Sequence, residues 1–369
     1  MELIDYTRRM DIQEIIDLYQ RRKAERLEKM LDFYYGDRMF LVTQRASIDQ
    51  FGPCNSVEMV VKNNLTFLEK SLPNDFTDDL PYLEPWVGVG VYANAFGCEY
   101  VWSDIEAPNT NYKYHKIEEV KNIEYPDWRK SPIMKLAIDC IDALKEKTKG
   151  QMFLLLTDTQ SPFDTATLIL DACEFFAACY LNEGIVMDFM DKITRLIMEF
   201  SKIQIEHIGE ELLARPGHNL ISCPCFEGIA ISDDNLAVSS PQINQKIALP
   251  FDQKIADEFG GLAIHSCGRW TRTMELLKDN PSIKSIDCAL GKETDPTPND
   301  PVKLRNVLKG SKIIAKVRVG NKIEEIEYLL DKFLDPDIKT VVEMDYDQEV
   351  AELNYTRVRQ KLESFYGSA

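Results

Sequence analysis

At 369 residues, 44% of them hydrophobic and 28% charged, the chain has material for one large core or two smaller ones. Its formal charge of −18 repels phosphate backbones and no run of Lys and Arg reverses it locally, so nucleic acid is excluded as an expected partner. No window approaches the ~20 apolar residues that span a bilayer, which excludes a membrane span.

The N-terminal stretch alternates charges at a helical period from about residue 10 to 35 and contains no apolar signal core. It predicts a helical extension over 1–35, ahead of a domain over 36–369, in a cytoplasmic protein. Nine cysteines in so long a chain, an odd number, read as reduced thiols. Cys140, Cys173 and Cys179 lie at apolar helical positions and read as small buried hydrophobes.

After the extension, "GDRMFLVT" predicts a turn and a short strand over 38–43. Further apolar runs follow: "WVGVGVYA" from 86, "MFLLLTD" from 152, "NLISCPC" from 219, "LAIHSCG" from 262, "SIKSIDCAL" from 282, "KIIAKVRV" from 312 and "TVVEMDYD" from 340. Amphipathic stretches of helical length separate most of them. Eight buried runs alternating with helices, without a flexible linker, predict an α/β fold, specifically a (β/α)₈ TIM barrel with an N-terminal helical extension. Chemistry then belongs at the C-terminal rim. Within "SSPQINQKIALPFDQKIADEFGG", Ser239 or Ser240 caps a helix with Pro241 in its first turn and Gly260 and Gly261 at its end.

That helix leads to the strand carrying His265 and Cys267. Alternate side chains of a strand face one side together, so the pair is placed as two ligands of one ion must be. The adjacent strand end offers Cys288, and the last strand offers Glu343 and Asp345. Imidazole with two thiolates, with or without a carboxylate as well, suits zinc, and three protein ligands leave the fourth position open for a substrate. A histidine hydrogen-bonded in the core beside an inert cysteine is the competing reading. Asp233 and Asp234 in "ISDDN" are candidates to bind substrate or orient a ligand, or they cap a turn. Cys223 and Cys225 in "SCPCFEG" read as strand-end residues. His115, His207 and His218 have no triad-like partner, and the glycines of "GVGVYANAFG" lack the spacing of a nucleotide cradle.

The stretch "GIAISDDNLAVSSPQINQKIALPFDQKIADEFGGLAIHSCGRW" resembles the central segment of the uroporphyrinogen decarboxylase superfamily, and "TDTQSPFDTATLILDACEFFAACYLNEGIVMDFMDKIT" is similar to its upstream segment. The resemblance covers 35–362. The superfamily's decarboxylases are metal-free and use an N-terminal arginine cluster, of which only Arg45 is retained here; the early-strand aspartate and late histidine have no counterpart. The HxC pair is instead similar to the superfamily's zinc methyltransferases, which act with corrinoid proteins, coenzyme M or homocysteine. The resemblance implies His265 and Cys267 as the first two zinc ligands, and Cys288 about where the zinc-dependent methionine synthases carry a glutamate. Glu343 or Asp345 stands at the strand end where relatives carry a final cysteine in a Gly-Cys-Gly loop. Asp233, Asp234 and Arg45 are then the implied catalytic residues. The implied activity is zinc-dependent methyl transfer between a corrinoid, free or on a partner protein, and a thiol or small methylated substrate. The alternatives are uroporphyrinogen decarboxylation and a non-catalytic corrinoid- or tetrapyrrole-binding protein.

Overall fold

A computed structural model describes residues 10–45, 53–103, 106–217, 226–347 and 349–367. Asp11 opens the first helix, Ile12–Tyr35, with a capping box: its carboxylate accepts from Glu14 N–H, and the Glu14 carboxylate accepts from Asp11 N–H. One face of this helix is buried through Ile15, Ile16, Tyr19, Met30 and Phe33. The buried Arg26 reaches from it to the carbonyls of Asp79 and Asn74.

The strands are β1 (Phe40–Arg45), the hairpin pair β2 (Glu99–Val101) and β3 (Asn109–Asn111), β4 (Ile229–Ser232), β5 (Leu262–His265), β6 (Ile283–Ala289), β7 (Ile314–Gly320) and β8 (Thr340–Asp345). Six of them form one sheet in the order β1-β8-β7-β6-β5-β4, and every pairing is parallel. Helices connect the strands and cover the sheet's outer face, which explains why β4, β5 and β7 are buried at every residue. From β4 the wall continues through single parallel bridges, Ser232 with Gln160, Leu213 with Leu154 and Leu154 with Leu83. Asp78 N–H then donates to Val42 O of β1 at 2.9 Å. This is the barrel architecture, six strands in a regular ladder and the remaining wall held by isolated bridges.

The runs expected at 40, 262, 282, 312 and 340 are thus strands. The run from 86 is not. Its backbone passes so close to a neighbouring loop that a Cβ at Gly88, where φ is +99°, would lie 2.4 Å from Pro108 O, and the chain turns at once into the short helix Val91–Ala95. The run from 152 contributes one bridge at Leu154 rather than a ladder. The strand expected from 219, with Cys223, Cys225 and His218, lies outside the described residues; the strand beside β5 is Ile229–Ser232, formed by residues read above as part of the aspartate turn.

Ser240 caps the helical run that begins at Pro241, and Gly260, at φ +80°, ends it. The ladder opens into a π turn over Asn244–Ala248 ahead of Pro250, which has no N–H to give and whose ring crowds the carbonyl four residues back. Among the described cysteines all seven are free thiols; Cys140 and Cys179 are buried as expected, whereas Cys173 is exposed. No described helix is long and apolar enough to cross a membrane.

Candidate metal centre

The C-terminal ends of β4, β5, β6 and β7 meet at one side of the barrel mouth. In register, His265 stands opposite Ser232 on β4 and Asp287 on β6, and Asp287 stands opposite Lys316 on β7. Parallel partners share a face, so His265, Asp287, Lys316 and, two residues on, Arg318 all point into the barrel.

Beyond β5 the chain turns through Ser266, Cys267 and Gly268. Three side chains clamp this turn. Asp234 Oδ1 accepts from Cys267 N–H at 2.6 Å, and Asp295 Oδ2 accepts from Gly268 N–H at 2.6 Å. Asn299 Oδ1 accepts from the amides of Trp270 and Thr271, while its amide donates to Gly268 O and Ala289 O. Gly268 itself sits at φ +71°.

The clamp folds Cys267 back over His265. Cys267 Sγ lies 3.6 Å from His265 Nε2, Asp234 Oδ1 lies 3.8 Å from the same nitrogen, and the ligand atoms of all three residues fall within 4.8 Å of one another. A tetrahedral zinc with Zn–S of about 2.3 Å and Zn–N of about 2.0–2.1 Å needs nitrogen and sulfur roughly 3.6 Å apart, so the donors present fit that ion. A nitrogen, a thiolate sulfur and a carboxylate oxygen are also the donor types zinc takes.

The other imidazole nitrogen is held from behind. His265 Nδ1 is hydrogen-bonded to Asp287 Oδ2. The ionised carboxylate holds the proton on Nδ1, so once the Nε2 proton is given up, the lone pair left there faces Cys267 and Asp234. Burial alone would lower the His265 pKa, but the charge and hydrogen bond of Asp287, with a smaller contribution from Cys267, raise it to about 10. Burial works against the Asp287 carboxylate too, yet Arg318, Lys316 and His265 hold it well below the usual range. Lys316 Nζ lies 3.2 Å from Asp287 Oδ1 and 2.7 Å from Glu343 Oε2. Arg318 Nε lies 3.3 Å from Asp287 Oδ2.

Asp234 is set in place by a second acid. Asp164 sits in the first turn of the helix Pro162–Ile169, whose cap is Ser161. Its two oxygens accept from the amides of Asp234 and Asn235 at 2.7 and 2.9 Å. Behind this turn lie two further buried aspartates, Asp233 and Asp252. Burial and mutual charge raise Asp164 and Asp233 well above the carboxylate range, and burial with the charge of Asp164 pushes Asp252 up to about 8.

A pH dependence follows. Below the ordinary Asp252 value of 3.8 the carboxyl is neutral in both folded and unfolded chains, and its full contribution to stability is present. Between there and about 8 the unfolded chain releases the proton while the folded protein keeps it, so stability falls across that window and levels off above it. Asp252→Asn removes this slope. Denaturant unfolding of metal-free protein should show the variant gaining on the order of 3 kcal/mol over the parent between pH 5 and pH 9; parallel pH profiles would refute the assignment.

Of the residues singled out in the sequence, the structure brings His265, Cys267 and Asp234 together. It does not bring Cys288 to them. Cys288 follows Asp287 on β6 and so faces the opposite side of the sheet, in the apolar core, with Sγ 3.9 Å from Lys316 O and burial pushing its thiol pKa up. Glu343 is committed to Lys316 on the barrel interior and lies outside the cluster. Asp233 is wholly buried, donates its amide to His265 O at 2.8 Å, and turns its carboxyl away to the acid cluster. Arg45 ends β1 in register with Asp345, and its side chain lies outside the described residues. His207 is paired with Asp142 at the surface, 3.0 Å away. Asp287, Lys316, Arg318, Asp164, Asp295 and Asn299 were missed. The alternation of "AKVRVG" put two cations on the inner face of a buried strand and was the available signal for Lys316 and Arg318.

Residues 87–212 match the family described as uroporphyrinogen decarboxylase (URO-D). The match ends before β4, so it assigns no role to the residues of the cluster. Among solved structures the chain is similar to a methyltransferase from Methanosarcina mazei, with 15% identity and a TM-score of 0.63 over 93% of this chain and 99% of that one. No curated protein matches the sequence.

Proposed function

We propose that the chain is a member of the uroporphyrinogen decarboxylase superfamily, which the match over residues 87–212 supports, and a zinc-dependent methyltransferase moving a methyl group between a corrinoid, free or on a partner protein, and a thiol or small methylated substrate. The observation that carries this reading is the convergence of Asp234, His265 and Cys267, with the second nitrogen of His265 held by a buried carboxylate. The structural likeness to a methyltransferase supports it.

Three protein ligands leave one tetrahedral position for substrate. Zinc, when bound, lowers the pKa of a thiol in that position or acts as a Lewis acid on a leaving heteroatom. The chain's own residues do the rest. Asp287 holds the proton on Nδ1 of His265, so a metal would displace the proton of Nε2, the nitrogen that faces Cys267 and Asp234. Asp164 holds the Asp234 turn through two amides, and Asp295 and Asn299 hold the Cys267 turn, so the donors are set before any ligand arrives. Cys267 and Asp234 are exposed while His265 is buried, which opens the site toward the mouth. A methylated corrinoid would supply the methyl group to the thiolate sulfur in line and would keep the electron pair of the bond it gives up. A tetrapyrrole with many carboxylates needs several free cations. The described mouth offers Lys316 and Arg318, both beside Asp287, so decarboxylation has less support.

Protein purified without chelators or a histidine tag should carry close to one zinc per chain by elemental mass spectrometry, and should move methyl from a methylated corrinoid to a thiol. No bound metal after incubation with zinc under reducing conditions would overturn the reading.

A further inference from the structure

We propose that Arg318 is the anion-recognition residue of this site and restricts it to small substrates carrying a carboxylate at the end remote from the reacting heteroatom. The inference rests on the metal site described above for the position of the reacting end. The anion site itself rests on Arg318 alone.

Arg318 is 4% exposed, yet its Nε and Nη2 have no hydrogen-bond acceptor among the described residues. Its ion-pair partner, Asp287, touches it at 3.3 Å through an oxygen already engaged by His265, and the other Asp287 oxygen is engaged by Lys316. Glu343, the neighbouring carboxylate, is taken by Lys316 at 2.7 Å. Two buried guanidinium nitrogens without a hydrogen-bond acceptor are costly, and a guanidinium is the group best shaped to receive a carboxylate through two parallel hydrogen bonds.

The backbone under Arg318 is fixed so that the side chain stays aimed inward. Its carbonyl accepts from the amides of Leu290 and Gly291 and from Thr294 Oγ1. The register with β8 slips immediately afterwards, between Arg318 and Gly320, and Gly320 takes φ +83°. A bulge at a strand end is a common device for re-aiming one side chain at a site.

Asp287 Oδ2 contacts both Arg318 Nε and His265 Nδ1, so guanidinium and imidazole flank one carboxylate. The Cys267 sulfur also acts electrostatically on the guanidinium, so a ligand reaching from the metal position to Arg318 spans only a few bonds, roughly two to four between heteroatom and carboxylate. A compact thiol acid or its S-methyl derivative meets this condition.

The test compares zinc-loaded wild type, Arg318→Lys and Arg318→Gln for binding of 3-mercaptopropionate and of its uncharged analogue 3-mercapto-1-propanol. Wild type should prefer the acid by about 30-fold, Arg318→Gln should lose that preference, and Arg318→Lys, which keeps charge without the fork, should retain part of it. Zinc content should be the same in all three. Equal binding of acid and alcohol by wild type, or an undiminished preference in Arg318→Gln, overturns the proposal. Thermal stabilisation of metal-stripped protein by propionate over 1-propanol separates the two readings. Stabilisation by the acid, lost in Arg318→Gln, supports the anion site even where zinc fails to bind; its absence in wild type removes the anion site and leaves the zinc reading standing.

Discussion

Cys267→Ala is expected to weaken zinc binding by more than about 100-fold and to abolish methyl transfer, whereas Cys288→Ala is expected to leave the zinc content unchanged. The first figure is set by comparison: loss of a group that merely orients a ligand costs roughly 10–100-fold in metal affinity, and loss of a ligand costs more. Cys267 is exposed on a turn held by Asp234, Asp295 and Asn299 through backbone atoms alone, so removing its sulfur leaves that turn in place. The metal-free variant should therefore unfold within about 0.5 kcal/mol of the parent. Cys288 behaves oppositely. Its thiol packs in the apolar core behind β6, so alanine there costs about 1 kcal/mol of stability and nothing in metal. Titration of both variants with zinc against a competing chelator, together with urea unfolding, separates the two sulfurs. Zinc loss in Cys288→Ala, or retention in Cys267→Ala, would mean that the ligand set is wrong.

The contrast between these two cysteines marks how far the site could be read before the fold was seen. His265 and Cys267 are two apart at a strand end, and period-two alternation suggested the pair, although β5 ends at His265 and it is the clamped turn that folds Cys267 back over the imidazole. Cys288 required knowing which residue of "SIDCALG" stands opposite His265. That register is set by how β6 docks on β5, across a slip between Leu262 and Ala263, and it selects Asp287. A one-residue difference exchanges the two faces of a strand, so the nearest soft ligand in sequence became a core residue and its acidic neighbour became the support of the histidine. Asp234 was a candidate from the turn composition of "ISDDN", but its role beside Cys267 depends on Asp164, seventy residues away. The barrel class followed from the apolar runs that became β1, β5, β6, β7 and β8. The runs at 86 and 152 misled because burial alone makes a run apolar, and glycines at 88 and 90 let that backbone serve as a packed loop.

Asp287→Asn should produce the second largest effect, and on two observables at once. The carboxylate is fully buried and is shared by His265, Lys316 and Arg318, so it neutralises cations that are themselves inside the barrel. Removing one partner of a buried ionic cluster leaves uncompensated charge, at a cost of about 3–5 kcal/mol. Asparagine preserves the volume, so the cost is electrostatic. If its oxygen accepts from His265, its amide faces the Lys316 ammonium, donor against donor; the flipped amide faces His265 instead and opposes the tautomer that leaves Nε2 free. Zinc affinity should accordingly fall by roughly 10–100-fold even though all three ligands remain. Adding Lys316→Met removes the buried cation that most needs Asp287 and should recover part of the stability without recovering the affinity, because the imidazole still lacks its acceptor. Denaturant unfolding of the metal-free single and double variants, read beside zinc competition, tests both halves. Recovery of affinity in the double variant would show that Asp287 acts only by balancing charge and has no part in orienting His265.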